Sequence, residues 1–103
     1  MKDFFICPCC GYNKLEVRPY KNEIEFPISI TKKPPYYRYF GEPSYEVCSC
    51  CGFEFGNDDE PGTAKASSFE EYFENWKNEG MIWFDKGKKP ENWSAEMQIK
   101  NIF

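Results

Sequence analysis

The sequence contains no histidine among its 103 residues. Imidazole is therefore excluded as a metal ligand, and the side chain that most often serves as a general base in enzymes is missing. No serine–histidine–aspartate set can form, and neither a phosphate-binding loop nor a pair of buried carboxylates stands out. We therefore predict that the chain is not an enzyme.

Long apolar stretches are also missing. No segment approaches the roughly 18 consecutive apolar residues that a transmembrane helix needs. The apolar run before Cys7 has three residues, which is too short for a secretion signal. These absences predict a cytoplasmic protein without a membrane partner. In the cytoplasm, paired cysteines more often bind metal or carry out redox chemistry than form structural disulfides.

Positive charge is in the minority. The chain has 13 Lys and Arg residues and 17 Asp and Glu residues, which gives a formal net charge of -4. Sequence-independent binding to nucleic acid or to an anionic membrane needs a net basic face, so neither is expected. One basic and aromatic segment keeps a nucleic-acid-binding zinc ribbon open as an alternative. It consists of Lys32, Lys33, Tyr36, Tyr37 and Arg38.

What the sequence does contain is a doubled cysteine motif. Residues 6–12 read ICPCCGY and residues 47–53 read VCSCCGF, at an offset of 41. Each copy contains C-x-x-C followed by glycine. A C-x-x-C turn points both of its sulfurs inward, and two such turns supply the four thiolates of a tetrahedral metal site. The predicted metal ligands are Cys7, Cys10, Cys48 and Cys51.

Zinc is the expected metal, since it favours a closed tetrahedral site of sulfur ligands. The first motif also resembles the knuckle of rubredoxins, so iron at the same four cysteines is an alternative. A set of disulfides in a secreted protein is another, which the missing secretion signal disfavours. Because metal binding and folding are coupled in such domains, we expect the metal-free chain to be partly unfolded.

The third cysteine of each motif, Cys9 or Cys50, lies one residue before the second predicted ligand. Adjacent side chains cannot both face one metal, so these two thiols are expected to point away from it. The simplest interpretation is that both are small, partly exposed residues on the surface of the site. A thiol redox or metal-handling role is an alternative, because nearby thiolates bound to a cation could lower their pKa. A disulfide between the two is another.

Short stretches with alternating polarity surround the motifs and indicate strands. They lie at residues 14–17, 23–26, 28–30, 45–47 and 53–55. The aromatic run at residues 36–40 is also typical of strands. The acidic residues 57–60 do not fit the spacing of an EF-hand and indicate a solvated loop.

Helical signals are confined to the C-terminal part. Ser68 followed by Glu71 fits a capping box, and Gly80 suits the end of a helix. The aromatic residues between them share one helical face. A second, shorter helix would be capped by Asn92 or Ser94. The aromatic residues of this part are expected to form core rather than a binding face; the large ones are Trp76, Trp83, Phe84 and Trp93.

These signals together predict an α+β fold in a single domain, a small β-rich zinc ribbon with a helical C-terminal part packed on it. The ribbon is predicted over residues 1–56, an acidic loop over residues 57–67, and the helical part over residues 68–103.

Residues 4–16 and the segment Tyr45-Glu46-Val47-Cys48-x-x-Cys51 resemble the small bacterial cysteine-rich CPCC proteins. Those typically read CPCCGY, a spacer and then YEICPVCFWEDD. The direct matches are Cys7, Pro8, Cys9, Cys10, Gly11, Tyr12, Tyr45, Glu46, Cys48 and Cys51. The chain departs from the pattern after Cys51, and its spacer of 37 residues between the C-x-x-C pairs is long for the family. The resemblance covers roughly residues 4–59 and implies metal binding, but no particular activity.

The function expected from the sequence is therefore that of a small metal-binding protein with a non-catalytic role. Its metal would hold the fold together, and its partner would be another protein of unknown identity.

Overall fold

The computed structural model describes residues 3–29, 31–62 and 64–103. This part of the chain contains three α-helices and one 3₁₀ helix. They are α1 (Tyr37–Phe40), α2 (Phe69–Asn78), the 3₁₀ helix Lys86–Lys88 and α3 (Ala95–Ile99). None of these helices is long and apolar enough to cross a membrane. Residue 30, the last of the stretch predicted at 28–30, lies outside the described residues.

The prediction of a β-rich zinc ribbon with a helical part packed on it is wrong. Across the described ranges no strand forms, and the extended pairing consists of three isolated antiparallel bridges. They join Phe5 to Leu15, Tyr20 to Pro43 and Val47 to Glu54. Next to each motif the pairing stops after one bridge, because the chain there bends into the turn that contains the cysteines. Between the motifs lie five of the eight prolines, and each proline lacks the backbone donor that a ladder needs.

The aromatic run at residues 36–40 forms helix α1 and not the predicted strand. Tyr36 and Phe40, four residues apart, are buried with their rings stacked 6.2 Å apart between centroids. Tyr37, Arg38 and Tyr39 are exposed. A strand would place Arg38 on the same face as the two buried rings, whereas one helical turn buries the rings and leaves the charge in water.

Helix α2 begins where the capping box predicts. The Ser68 hydroxyl oxygen accepts a hydrogen bond from the Glu71 backbone N–H at 3.1 Å. Gly80 follows the helix in the left-handed conformation, at φ 103°, which glycine adopts without strain. The predicted apolar face is also correct. Its buried members are Phe69, Phe73 and Trp76.

Residues 81–84, which follow α2, belong to neither a helix nor a strand. Trp83 is buried between Tyr12 and Trp93, edge-to-face and 5.4 Å from each ring. The expectation of core is therefore right for Trp83 and wrong for Phe84, which is 67% exposed. The last helix, α3, is capped by Ser94, whose hydroxyl oxygen accepts from the Met97 N–H at 3.2 Å.

A buried carboxylate lies within the predicted acidic loop. Asp59 accepts hydrogen bonds from the Tyr20 hydroxyl and the Gly56 N–H, both at 2.7 Å, and from the Tyr36 N–H at 3.1 Å. Burial and the Asp59 charge raise the pKa of Tyr20, so its hydroxyl stays a donor. The prediction of a solvated loop is therefore wrong at Asp59, which ties the loop to α1 and to the aromatic core.

Candidate metal centre

The two C-x-x-C motifs fold into matching turns, which we call the first cysteine turn (residues 7–10) and the second cysteine turn (residues 48–51). The Gly11 N–H donates to the Cys7 carbonyl at 2.9 Å, and the Gly52 N–H donates to the Cys48 carbonyl at the same distance. Gly11 and Gly52 have φ values of 87° and 83°, in the region that favours glycine. The repeated sequence thus produces a repeated backbone turn.

These turns bring the four predicted ligands together. The Sγ atoms of Cys7, Cys10, Cys48 and Cys51 all lie within 4.8 Å of one another. The Cys7 and Cys51 sulfurs are 3.9 Å apart, and those of Cys10 and Cys48 are 3.8 Å apart. A tetrahedron with metal–sulfur bonds of about 2.3 Å has sulfur–sulfur edges of about 3.8 Å. The cluster therefore has the size and the ligand number to hold one metal ion.

The cluster is enclosed by protein. Each of its four cysteines is at most 6% exposed. Structural metal sites have four protein ligands, whereas catalytic sites keep one position open for water or substrate. The burial and the ligand count here match the structural kind.

Burial disfavours thiolates in this cluster when no cation is bound. It raises the pKa of Cys7 to about 12 and raises the pKa values of Cys10 and Cys51 well above their ordinary value. Burial also opposes ionisation of Cys48, but hydrogen bonds from Cys10, Cys51 and Cys7 outweigh it and hold the Cys48 pKa well below its ordinary value. These shifts favour thiols over thiolates at Cys7, Cys10 and Cys51, so a metal that binds here has to displace their protons.

Side chains of the C-terminal part bind the backbone of the first cysteine turn. Gln98 Nε2 donates to the Cys10 carbonyl at 3.2 Å, and Asn101 Nδ2 donates to the Gly11 carbonyl at 2.9 Å. A tight turn leaves such carbonyls without partners of its own, and a buried unpaired carbonyl is costly. α3 and the residues after it therefore hold the first cysteine turn in place.

The second cysteine turn is held in the same way from other segments. The Tyr72 hydroxyl of α2 donates to the Cys51 carbonyl at 3.2 Å. The Phe84 N–H donates to the Cys50 carbonyl at 3.0 Å. The metal centre is consequently surrounded by hydrogen bonds that come from α2, from the segment after it and from α3.

Cys9 and Cys50 are buried, at 2% and 0% exposure, so the expectation of partly exposed thiols is wrong. The Cys9 thiol donates to the Phe69 carbonyl at 3.6 Å, and the Cys50 sulfur accepts from Gln98 Nε2 at 3.3 Å. All six cysteines are free thiols, so none of the disulfides considered from the sequence is present. Burial also raises the pKa of Cys9, which suppresses the thiolate that redox chemistry requires.

Part of the basic and aromatic segment belongs to the core. Tyr36 is fully buried, with its ring stacked on Phe69 at 3.8 Å between centroids. Lys32 lies over the Tyr39 ring, 5.2 Å from its centroid. Binding of single-stranded nucleic acid relies on exposed rings beside cations. Of the two tyrosines that the hypothesis assigned to the patch, Tyr37 alone is exposed.

Sequence reasoning missed the side chains that surround the cluster. Gln98 and Asn101 lie beside the apolar Ile99 and Ile102 in a short helix and its continuation, where polar residues are ordinarily solvated. Asp59 looks like one acid in an acidic loop. No local signal distinguishes these residues, because they bind partners such as Tyr20, Cys10 and Gly11, which are 39 to 90 positions away along the chain.

Comparisons of the chain with protein-family models, with curated proteins and with solved structures found no match. The chemistry of the cluster and of the surface around it is therefore the basis for inferring a function.

Proposed function

We propose that this chain is a small zinc-binding protein whose structural four-cysteine site stabilises a non-catalytic protein-interaction module of the cytoplasm. The observation that carries the proposal is the enclosed cluster of four sulfurs with tetrahedral spacing. We further propose that the chain belongs with the CPCC proteins that residues 4–59 resemble.

Zinc is the proposed metal because every ligand is a sulfur and the site is closed. Zn²⁺ has a filled d shell and no redox chemistry, so it accepts the tetrahedron that the protein offers. Iron is the alternative for the same four ligands, because soft thiolates also bind it. In either case Cys7, Cys10, Cys48 and Cys51 would hold the ion, and its charge would stabilise their thiolates.

A role in protein interaction is supported by the apolar side chains on the surface. Apolar surface marks interaction sites when it is contiguous, and one such surface surrounds a cavity lined by Phe26, Phe73 and Phe103 among others. The exposed large residues include Phe4, Tyr37, Tyr45, Ile82, Phe84, Met97 and Phe103. A non-catalytic role is supported by the metal cluster, because four protein ligands leave no position for a substrate.

No second function is proposed for Cys9 and Cys50 or for the basic segment. Both thiols are buried in contacts with α2 and α3, and the ring of Tyr36 is part of the core.

Metal analysis of single cysteine variants tests the proposal. Wild type should contain about one zinc per chain, measured by plasma mass spectrometry. Cys7→Ser and Cys48→Ser each remove a proposed ligand and should lose most of that zinc. Cys9→Ser and Cys50→Ser are the matched controls, since they make the same chemical change beside the site and should keep it. If the wild-type protein contains iron instead of zinc, iron takes the place of zinc as the proposed metal. Zinc lost equally from all four variants would overturn the assignment of ligands.

A further inference from the structure

A groove lies between α2 and the C-terminal residues, on the side where the first cysteine turn is covered. Two cavities of about 320 and 330 Å³ open side by side there, and both are lined by Phe73, Lys77 and Ile99. Cys9 lines the first cavity and Cys10 the second. We call this surface the α2–α3 groove.

The walls of the groove are largely apolar. Besides Phe73 and Ile99, the first cavity is lined by Phe26, Ile28 and Ile102. The second adds Trp76, Met81 and Ala95. Two neighbouring apolar cavities suit a ligand that presents two apolar side chains from one face.

The rim of the groove is acidic. Glu70, Glu74 and Lys77 lie at i, i+4 and i+7 along α2 and so share one face of the helix, and Glu96 lies on α3. All four side chains are exposed. Within the part of the chain that the structure describes, none of the three glutamates has an ion-pair or hydrogen-bond partner. Three unpaired carboxylates against one lysine give the rim a negative potential, which favours a cationic partner.

We infer that the α2–α3 groove binds an amphipathic helix of a partner protein, with lysine or arginine on its flanks. The inference rests on the proposed interaction function and names the chemistry of its partner. Apolar residues one helical turn apart enter the two cavities, and the basic flanks face Glu70, Glu74 and Glu96. Docking of an extended peptide by strand addition needs an open sheet edge, and the described ranges contain no strand to provide one.

A displayed library of helical peptides of about 18 residues tests the inference. Apolar residues are fixed at i, i+3, i+4 and i+7, and every other position is random, so the protein itself selects the flanking charge. The bait is the zinc-loaded full chain. Selected peptides should be enriched in lysine and arginine over aspartate and glutamate beside the apolar face. Their amide shift perturbations on the protein should map to α2 and α3.

Two charge reversals then locate the contact. Glu70→Lys combined with Glu74→Lys should weaken the selected peptides about tenfold or more, since a like charge replaces an opposite one at the rim. Glu42→Lys combined with Glu91→Lys makes the same change in net charge at exposed sites that do not line the groove. That control should bind within about twofold of wild type.

Three outcomes overturn the inference: no peptide is selected, the selected peptides lack a basic bias, or both charge reversals weaken binding equally. The zinc content of the same bait reports on the metal centre separately. A zinc-loaded bait that selects no basic helix would therefore contradict the proposed partner. The same result would not affect the proposal of a metal-binding module.

Discussion

At the scale of single residues, the six cysteines divide into four that face one another and two that anchor helices. Cys9 contacts the start of α2, and Cys50 contacts Gln98 of α3. Both contacts follow from the turn geometry, because the residue before the second ligand points out of the cluster. A small, weakly polar thiol fits such a buried position against a backbone carbonyl or an amide.

The thiol pKa values predict that metal affinity falls as the solution becomes more acidic. In the folded chain burial raises the pKa values of Cys7, Cys10 and Cys51, that of Cys7 to about 12. In an unfolded metal-free chain all four ligand thiols are protonated at neutral pH. Zinc would therefore have to displace about three to four protons, so acid competes with the metal. The logarithm of the affinity should fall by about three to four for each unit of pH lost near neutrality.

Competition with a coloured zinc chelator at several pH values measures this slope. The same titration with a chelator of known proton uptake corrects for the competitor's own pH dependence. An affinity that does not change with pH would contradict the assignment of cysteine thiols that lose their protons on binding.

At the scale of elements, the most demanding contact lies between α3 and the first cysteine turn. A Cβ atom on Gly11 would overlap the carbonyl oxygen of Gln98, which is backbone and cannot swing aside. The side chains of Gln98 and Asn101 reach the turn only because the two backbones approach so closely. Gly11 therefore serves both the bend of the chain and the docking of α3.

Gly11→Ala should consequently lower the stability of the zinc-loaded protein more than a glycine-to-alanine substitution whose only cost is the strained backbone conformation. Gly62→Ala is the matched control, because Gly62 has φ 83° and nothing within 4 Å of its Cβ position. We expect Gly62→Ala to cost about 1 kcal/mol from the left-handed conformation. Gly11→Ala should cost about 2 kcal/mol more from the overlap. Urea unfolding followed by tryptophan fluorescence measures both costs, and equal costs would contradict the close approach.

How much of each element could be predicted depends on how local its causes are. Helix α2 was predictable because its cap at Ser68 and its aromatic face lie within one short segment. Helix α1 was not, because Tyr36 and Phe40 favour strands in general and turn helical here to bury two rings beside Arg38. The predicted strands failed for a related reason: an alternation of three or four residues indicates a strand only when a partner pairs with all of it. The clustering of Cys7, Cys10, Cys48 and Cys51 could be predicted from the doubled C-x-x-C spacing alone.

At the scale of the whole molecule, the cysteine cluster lies where α2, the segment after α2 and α3 meet. The first cysteine turn contacts α3, the second contacts α2, and Asp59 links the intervening loop to the aromatic core. Structural zinc contributes roughly 10–16 kcal/mol of binding free energy in small domains. A domain of this size has a total stability of about 5–15 kcal/mol. If the cluster holds zinc as proposed, loss of the metal would remove about as much free energy as the fold has available.

Removal of the metal should accordingly unfold much of the chain. A strong chelator in excess should reduce the helical far-ultraviolet circular dichroism signal and abolish the near-ultraviolet signal of the buried tyrosines and tryptophans. Re-addition of zinc under reducing conditions should restore both signals. Circular dichroism that stays unchanged after complete metal removal would show that the aromatic core holds the fold without the cluster.

The central claim is that Cys7, Cys10, Cys48 and Cys51 together hold one zinc ion. X-ray absorption at the zinc edge of the purified, reduced protein tests it most directly, because the fine structure reports both the type and the distance of the ligand atoms. The account predicts four sulfur atoms at about 2.3 Å and no nitrogen or oxygen in the first shell. A first shell with oxygen or nitrogen atoms, or zinc well below one per chain, would contradict it.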